Sequence, residues 1–253
     1  MPTLSAILIT KNESLNLGEC LDSLKTLVDE IVIVDSNSQD DTLEIAKRYN
    51  AVVSQPTDWP GFGPQKNRAL ALATKDWVLS IDADERLTPE LIAEIKTHLN
   101  NPGNTCCFAF PRLSYYCGRF MRHGGWYPDY VDRLFLRGSA HFSDHLVHER
   151  LIPDGKVIKL KNPLLHYSYR SFEQVLAKVD QYSSAGAKQA FAAGKRASFL
   201  SAMGHGIWGF VRTYILRLGF LDGSHGFALA ISNGQASYYK YLKLWHLCRN
   251  QSS

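Results

Sequence analysis

Short apolar runs alternate with helical patterns through the first hundred residues of the chain. The runs Leu4–Thr10, Glu30–Asp35 (EIVIVD), Val52–Ser54 and 77–82 (WVLSID) are rich in β-branched residues and predict buried strands. Helical patterns separate them, and a further helix is predicted to start at Pro89. Strands that alternate with helices pair in parallel, so the pattern predicts a doubly wound sheet. In such a sheet, ligands bind beyond the carboxyl ends of the strands.

The rest of the chain has a different pattern. Residues 105–166 show short, aromatic-rich runs that predict mixed β structure, and from Ser171 the pattern is helical. We therefore predict an α/β domain over residues 1–166, with a mixed, mainly parallel sheet flanked by helices. Its halves are 1–99 and 100–166, and residues 167–253 form a helical C-terminal extension.

Composition places the chain among ordinary globular proteins. It has 253 residues, of which 45% are hydrophobic and 21% charged, so disorder is not expected. Five cysteines without a C-x-x-C pair indicate a reducing compartment and argue against a disulfide framework or structural zinc site. The N-terminus lacks the features of a signal peptide, and no run is apolar enough to span a membrane. We expect a cytoplasmic protein, either free or lying on a membrane surface.

Polar groups follow the predicted strands where a ligand is expected. Lys11-Asn12-Glu13 follows the first strand, a turn beginning at Asp35 follows the second, and Asp82-Ala83-Asp84-Glu85 follows the fourth. A divalent cation such as Mg²⁺ or Mn²⁺ takes one or two carboxylates and completes its shell with phosphate and water. An acid-x-acid unit at a strand end therefore predicts a site that binds the diphosphate of a nucleotide-sugar through a metal.

Each of these motifs also has a structural explanation. Asp84 or Glu85 could cap the helix that starts at Pro89, and Asp35 could close an ordinary Asx turn. The helix start Gln65-Lys66-Asn67-Arg68, preceded by two glycines, is either an anion site or a solvated basic turn. The combination of acidic strand ends with this cationic helix start favours the nucleotide-sugar site.

Four segments of the first hundred residues occur in a characteristic order: LSAILITKNE, EIVIVDSNSQDDT, GFGPQKNRAL and DWVLSIDADERLTPE. They resemble the family 2 inverting glycosyltransferases, which have the GT-A fold. Later segments are similar to the lipopolysaccharide core biosynthesis beta-1,4-glucosyltransferases of the WaaE/KdtX kind: DYVDRLFLRG, HLVHERL, LLHYSYRSFEQVLAKVDQYS and LGFLDGSHGF. The Gln-x-x-Arg-Trp motif of processive members is missing, which favours adding one sugar per encounter.

The resemblance implies roles for individual residues. It places Asn12 and Glu13 in the nucleoside pocket, Asp35 on the uracil or ribose, and Asp82 on the ribose side, with Asp84 on the metal. The remaining nucleotide-sugar residues predicted are Thr10, Lys66, Asn67, Ala83 and Arg133. The implied reaction moves glucose from UDP-glucose to the first heptose of the inner core, on a lipid A–core precursor.

An inverting transfer needs a base on the acceptor face to remove the hydroxyl proton. Three acids of the second half are candidates: Glu149, Asp144 and Asp129. We favour Glu149, because the His148-Glu149 pair stands where the family places its acceptor-activating carboxylate. The structural alternative for Glu149 is a surface ion pair with Arg150.

Two further residues have open assignments. His166 follows an apolar run and is either a metal ligand or pyrophosphate contact, or a core histidine bonded to backbone. Arg133 either counters the diphosphate charge or pairs with Asp132 or Asp129.

The C-terminal extension is basic and aromatic. From Arg196 onward the chain has six lysines and arginines against one acid, Asp222, interleaved with aromatic residues. This suits a helix on the anionic cytoplasmic face of the bacterial inner membrane. The alternative is that these helices pack on the catalytic domain and the aromatics are core.

Other functions were weighed against this hypothesis. Transfer to another lipid-linked glycan acceptor stays open. A metal-dependent nucleotidyltransferase would carry a Gly-rich, basic loop where this chain has Thr10-Lys11-Asn12-Glu13. A nucleic-acid-binding protein is suggested only by the basic tail, which lacks a recognised module, so we expect no nucleic-acid partner.

Overall fold

The computed structural model describes residues 2–143 and 150–250. The chain divides into two compact units. The first unit comprises Met1–Arg112 and Asp129–His166, and the second comprises Leu113–Pro128 and Tyr167–Ser253. The second unit thus joins the predicted C-terminal extension to a short internal segment.

Strands and helices alternate in the first hundred residues, as predicted. The strands are β1 (Leu4–Thr10), β2 (Glu30–Asp35), β3 (Val52–Ser54), β4 (Trp77–Ser80), β5 (Glu85–Leu87), β6 (Thr105–Tyr116), β7 (Arg119–Phe120), β8 (Asp129–Leu136), β9 (Ala140–Phe142), β10 (Leu151–Pro153), β11 (Lys156–Lys159) and β12 (Leu164–Tyr169). The α-helices are α1 (Leu17–Leu24), α2 (Thr42–Arg48), α3 (Phe62–Leu72), α4 (Pro89–Asn100), α5 (Phe172–Ala192), α6 (Phe199–Val211) and α7 (Gly223–Asn250).

The main sheet is mixed. Its strand order is β3-β2-β1-β4-β8-β6-β12-β5, with β7 and β11 also paired to β6. The strands from β3 to β4 are parallel, whereas β8 runs antiparallel to both β4 and β6. The chain moves outward from β1 to β3 and then returns to place β4 on the other side of β1. This reversal of strand order makes the carboxyl ends of β1 and β4 the expected position of a ligand.

Both faces of the parallel strands are buried, which explains their continuous apolar sequence. Leu8 and Ile33 point to one face, where they pack with the apolar side of α1. Ile7 and Val32 point to the other face, where Ala69 of α3 packs against them. The alternation follows from the two-residue period of a strand.

The prediction of an α/β fold with a mixed, mainly parallel sheet flanked by helices is confirmed. One strand was not predicted: β5 follows the D-x-D unit at once and runs antiparallel to β12, pairing Glu85 with His166. The fourth predicted strand ends at Ser80 rather than Asp82. Asp82 and Asp84 therefore lie in the short turn between two strands.

Helices make up most of the second unit. Helices α6 and α7 pack closely because their contact face is built from glycines. A Cβ added at Gly209 would lie 3.0 Å from Ser237 Oγ and 3.1 Å from the Asn233 carbonyl oxygen. The buried carboxylate of Asp222, between the helices in sequence, accepts hydrogen bonds from the backbone N–H groups of Arg122 and His123, at 3.0 and 2.7 Å.

The aromatic residues of the C-terminal extension contact one another, and several of them are also exposed. Phe210 and Tyr214 contact each other and meet Phe227 edge to face, and Trp245 contacts Phe199. Phe199, Phe227 and Trp208 are each about half exposed. Within the described residues, no helix is both long enough and apolar enough to cross a bilayer.

Thr88 is the N-cap of helix α4, a position for which the sequence also offered Asp84 and Glu85. Its hydroxyl accepts a hydrogen bond from the backbone N–H of Leu91 at 3.1 Å, and Pro89 occupies the first turn. Asp84 and Glu85 are therefore not needed as caps.

We predict that Thr88→Ala lowers the free energy of unfolding by about 1 kcal/mol, because an N-cap bond is lost. Urea denaturation measures the change. Thr97→Ala is the matched control, since Thr97 is exposed in the C-terminal part of the same helix, where its hydroxyl donates to the Ala93 carbonyl at 2.9 Å. Equal effects of the two substitutions would contradict the capping role.

Candidate functional site

The ends of β1 and β2 are joined by side-chain hydrogen bonds. Thr10 and Asp35 are register partners, and the Thr10 hydroxyl donates to Asp35 Oδ2 at 2.8 Å. The backbone N–H of Ser38 and the side-chain amide of Gln55 donate to Asp35 Oδ1, at 2.9 and 3.3 Å. The buried Asp35 carboxylate is therefore fixed by neighbouring donors, as an Asx turn requires. Its predicted contact with the uracil or ribose stays a prediction.

Asn12 ties the loop after β1 to the loop after β2. Its backbone N–H donates to Ser38 Oγ, and its side-chain oxygen accepts from the backbone N–H of Gln39, both at 2.8 Å. Asn12 has a φ of 56°, in the left-handed region that asparagine adopts more readily than most residues. The turn is therefore held in place before any ligand arrives.

Glu13 is half-buried beside the D-x-D unit. Burial raises the pKa of its carboxyl group, Asn16 opposes this by a hydrogen bond of 2.9 Å, and the negative charge of Asp84 raises it further. The charges of Asp40 and Asp82 act in the same direction as that of Asp84. Several carboxylates thus share one electrostatic environment, which favours the binding of a cation there.

Asp82 lies between two cations. Lys66 Nζ is 3.1 Å from Asp82 Oδ1, and an Arg133 side-chain nitrogen is 2.5 Å from Oδ2. Burial alone would raise the pKa of Asp82, but Arg133 and Lys66 hold it well below its usual range. Asp82 is therefore a fixed, ionised acceptor, and its lysine partner comes from helix α3. The predicted contact of Lys66 with the nucleotide stays a prediction.

Glu85 completes this cluster, although from the sequence its only individual role was a possible helix cap. It is fully buried, receives an Arg133 nitrogen at 2.6 Å, and accepts the backbone N–H of Asp82 at 3.0 Å. Arg112 of β6 lies 3.8 Å from the same carboxylate. The sequence signal for this pair was weak, because Glu85 directly follows the D-x-D unit and Arg133 lies among the acids Asp129 and Asp132. Arg133 thus pairs with Asp82 and Glu85, and not with the nearby acids considered from sequence.

Asp84 and His166 are brought together although 82 positions separate them in the sequence. His166 Nε2 lies 3.3 Å from Asp84 Oδ2, across the β5–β12 pairing. Within residues 2–143 and 150–250, no group of three or more His, Cys, Asp or Glu side chains is arranged to hold a metal. Two protein ligands still fit a cation that takes its other ligands from phosphate and water.

Two predicted residues are engaged by protein backbone. The Asn67 side-chain amide donates to the Phe142 carbonyl at 2.8 Å and accepts the Phe142 N–H at 2.9 Å, which pins α3 to β9. Ala83 is buried, and its carbonyl accepts an Arg86 guanidinium N–H at 2.6 Å. Their roles toward the nucleotide-sugar remain predictions.

Of the three candidate bases, one lies within the described residues. Glu149 and Asp144 lie outside the described residues. Asp129 is half-exposed and held by Arg112 at 2.6 Å. The choice among these three acids stays a prediction.

Taken together, the carboxyl ends of β1, β2 and β4 present a fixed acidic turn, a D-x-D unit and two buried cations. Carboxylates can bind sugar hydroxyls or a metal, while lysine and arginine neutralise phosphate oxygens. Such an edge is suited to a molecule that combines a nucleoside, phosphates and a sugar.

Comparison with known proteins identifies the family. The model of glycosyl transferase family 2 matches residues 5–199. A glycosyltransferase of Rickettsia felis is 31% identical over 96% of this chain and 90% of its own length, and one of Rickettsia typhi is 32% identical over 98% and 88%. The lipopolysaccharide core biosynthesis glycosyltransferase LpsC of Rhizobium meliloti is 29% identical over 96% of this chain and 92% of its own.

Among solved structures, glucosyl-3-phosphoglycerate synthase of Mycobacterium tuberculosis, in complex with Mn²⁺ and UDP, aligns with 46% of this chain and 44% of its own. The identity there is 28% and the TM-score 0.37, a likeness too limited to place ligands in this chain. The family match, in contrast, covers most of the sequence, including every site residue described above. The chain is a glycosyltransferase and belongs to glycosyl transferase family 2.

Proposed function

We propose that this glycosyltransferase moves one hexose, glucose from UDP-glucose, onto an inner-core heptose of a lipid A–core precursor. The observation that supports it most directly is the D-x-D turn, in which one acid is neutralised by Lys66 and Arg133 while the other faces His166. Asp82 and Asp84 therefore have different charged neighbours and are proposed to bind different parts of the donor. Asp82 is a fixed hydrogen-bond acceptor for the ribose side, and Asp84 is the acid available to a metal.

The donor's nucleoside is proposed to lie over the joined ends of β1 and β2, beside Asn12, Glu13 and Asp35. Its diphosphate then reaches the cations near Asp82. Lys66 and Arg133 support this placement, because both cations lie against Asp82, at 3.1 and 2.5 Å. Lysine and arginine are the side chains that neutralise phosphate oxygens.

Asp84 and His166 are the residues proposed to hold Mg²⁺ or Mn²⁺. When bound, the metal neutralises charge on the leaving diphosphate. The protein's own part is to hold the Asp84 carboxylate, in the turn before β5, 3.3 Å from the His166 imidazole of β12.

Glu149 is proposed as the base that takes the proton of the acceptor hydroxyl during in-line attack at the anomeric carbon. The bond from sugar to diphosphate breaks as the new glycosidic bond forms, with inversion. One positioned carboxylate of this kind contributes about 10²–10⁴-fold to the rate.

The acceptor and location are inferred from similarity and from the second unit. LpsC, by its name, acts in lipopolysaccharide core biosynthesis, and its match spans 96% of this chain. A lipid A–core precursor is anchored in a bilayer, so we propose a peripheral enzyme on the cytoplasmic face of the inner membrane.

The metal site gives the first test of this function. We expect purified protein to release UDP from UDP-glucose in the presence of a defined core acceptor with Mg²⁺ or Mn²⁺, and chelation to stop it. Asp84→Asn should raise the Mn²⁺ concentration needed for half-maximal rate at least about tenfold, because a carboxylate ligand is lost.

Asp154→Asn is the matched control, because Asp154 is exposed and lies apart from the D-x-D turn in the sequence. It should leave the metal requirement unchanged. Turnover with a different UDP-sugar or another lipid-linked acceptor would change the substrate assignment only. No turnover with any UDP-sugar would contradict the donor class.

Glu149→Gln tests the base. It should lower kcat by about 10²–10⁴-fold while leaving UDP-glucose affinity near normal, because proton removal is lost but donor contacts are kept. Steady-state kinetics together with calorimetric donor binding measure both quantities. Asp144→Asn and Asp129→Asn serve as comparisons, and a larger loss of kcat in either would assign the base to that residue.

A further inference from the structure

Helix α6 turns its small residues toward α7. Ala202 is fully buried, and Gly206 and Gly209 lie on the same face of the helix, at positions where an added Cβ would meet atoms of α7 at about 3.0 Å. Because the small residues of α6 face α7, the large apolar side chains of α6 lie on the side of α6 that faces away from α7.

That other side is exposed. Leu200 is 79% exposed, Ile207 62% and Trp208 54%. Met203, 42% exposed, lies on the same face of the helix as Leu200 and Ile207, so these side chains form a stripe. Contiguous exposed apolar surface of this kind marks an interaction site.

The connection between α6 and α7 also has exposed apolar side chains. Leu216, Leu218 and Leu221 are each about half exposed or more. The backbone of the connection is itself closely packed, since a Cβ on Gly219 would lie 2.6 Å from the Thr213 carbonyl oxygen. We call the six residues Leu200, Ile207, Trp208, Leu216, Leu218 and Leu221 the α6 edge.

Between residues 196 and 221, the segment that contains the α6 edge, the charged side chains are all arginines. Arg196, Arg212 and Arg217 are exposed along this segment. From residue 181 to residue 250 the one acid is Asp222, which is buried and bound by backbone N–H groups. Helix α5 differs, because it exposes Glu173 and Asp180 beside its apolar residues.

We propose that the α6 edge inserts into the interface of an anionic phospholipid bilayer. Apolar side chains with a tryptophan and flanking arginines match the acyl–headgroup boundary of such a membrane, where each cation near the surface adds to binding. A second copy of this chain is a poorer match, since two edges of like charge would repel. This inference depends on the proposed function in one respect: the proposed function specifies which membrane the protein binds.

The test is flotation of the full chain with vesicles of phosphatidylethanolamine and phosphatidylglycerol, compared with phosphatidylcholine vesicles. The variant is Ile207→Ser/Leu216→Ser/Leu221→Ser, in which all changed residues are exposed. The matched control is Leu176→Ser/Tyr182→Ser, which removes two equally exposed apolar side chains from α5. Thermal unfolding establishes that both variants are folded.

We expect the wild type and the control to float with anionic vesicles, binding to weaken as salt is added, and the triple variant to bind at least about tenfold more weakly. Equal binding by the triple variant, or no binding by the wild type, would overturn the proposal. A wild-type dimer that becomes monomeric in the triple variant would assign the edge to self-association instead. Turnover on a deacylated, water-soluble acceptor should persist in the triple variant. Loss of membrane binding and failure of the proposed reaction therefore give different results.

Discussion

The organisation of the D-x-D turn depends on Arg133. Its guanidinium lies against Asp82 and against Glu85, which has no exposed surface. Burial opposes the positive charge, yet the two carboxylates raise the pKa of Arg133 above its usual value, so it stays ionised. A buried ion pair of this kind adds little net stability but is expensive to break. It is therefore best understood as a device that fixes geometry, with Asp82 held ionised and oriented at the end of β4.

The ion pairs of Arg133 give different roles to Asp82 and Asp84, two acids that are chemically identical in the sequence. Asp82 is paired with Lys66 and Arg133, whereas Asp84, in the turn before β5, lies beside His166 of β12. The strand order places both beside the loop after β1, where Asn12 and Asp35 are already fixed by hydrogen bonds. A prearranged pocket loses little freedom when a nucleotide-sugar binds, which favours affinity and catalysis alike.

Local sequence was sufficient to predict the parallel strands, because each is a continuous β-branched run followed by polar residues. It also located Asp82, Asp84 and Lys66, whose positions at strand and helix ends have physical meaning. It did not predict β5, whose three residues follow a turn and pair with a strand 77 or more positions away. Nor did it predict the ion pairing of Glu85 or Arg112, since the role of a buried charge depends on a partner from a distant strand. The aromatic tail was ambiguous for the same reason: Phe210 and Tyr214 contact Phe227 of α7 whereas Trp208 is exposed, and this difference depends on how α6 and α7 pack.

The central claim is that Arg133 holds the D-x-D turn in its binding geometry, and calorimetric titration of UDP with Mn²⁺ into Arg133→Met tests it most directly. Arg112→Met is the comparison, because Arg112 lies farther from Glu85, at 3.8 Å, and is partly exposed. The account predicts that Arg133→Met loses about 3–5 kcal/mol of stability and at least about tenfold in UDP affinity, measured where the variant is folded. Arg112→Met should lose much less of both. UDP affinity unchanged in Arg133→Met, with a stability equal to that of Arg112→Met, would contradict the account.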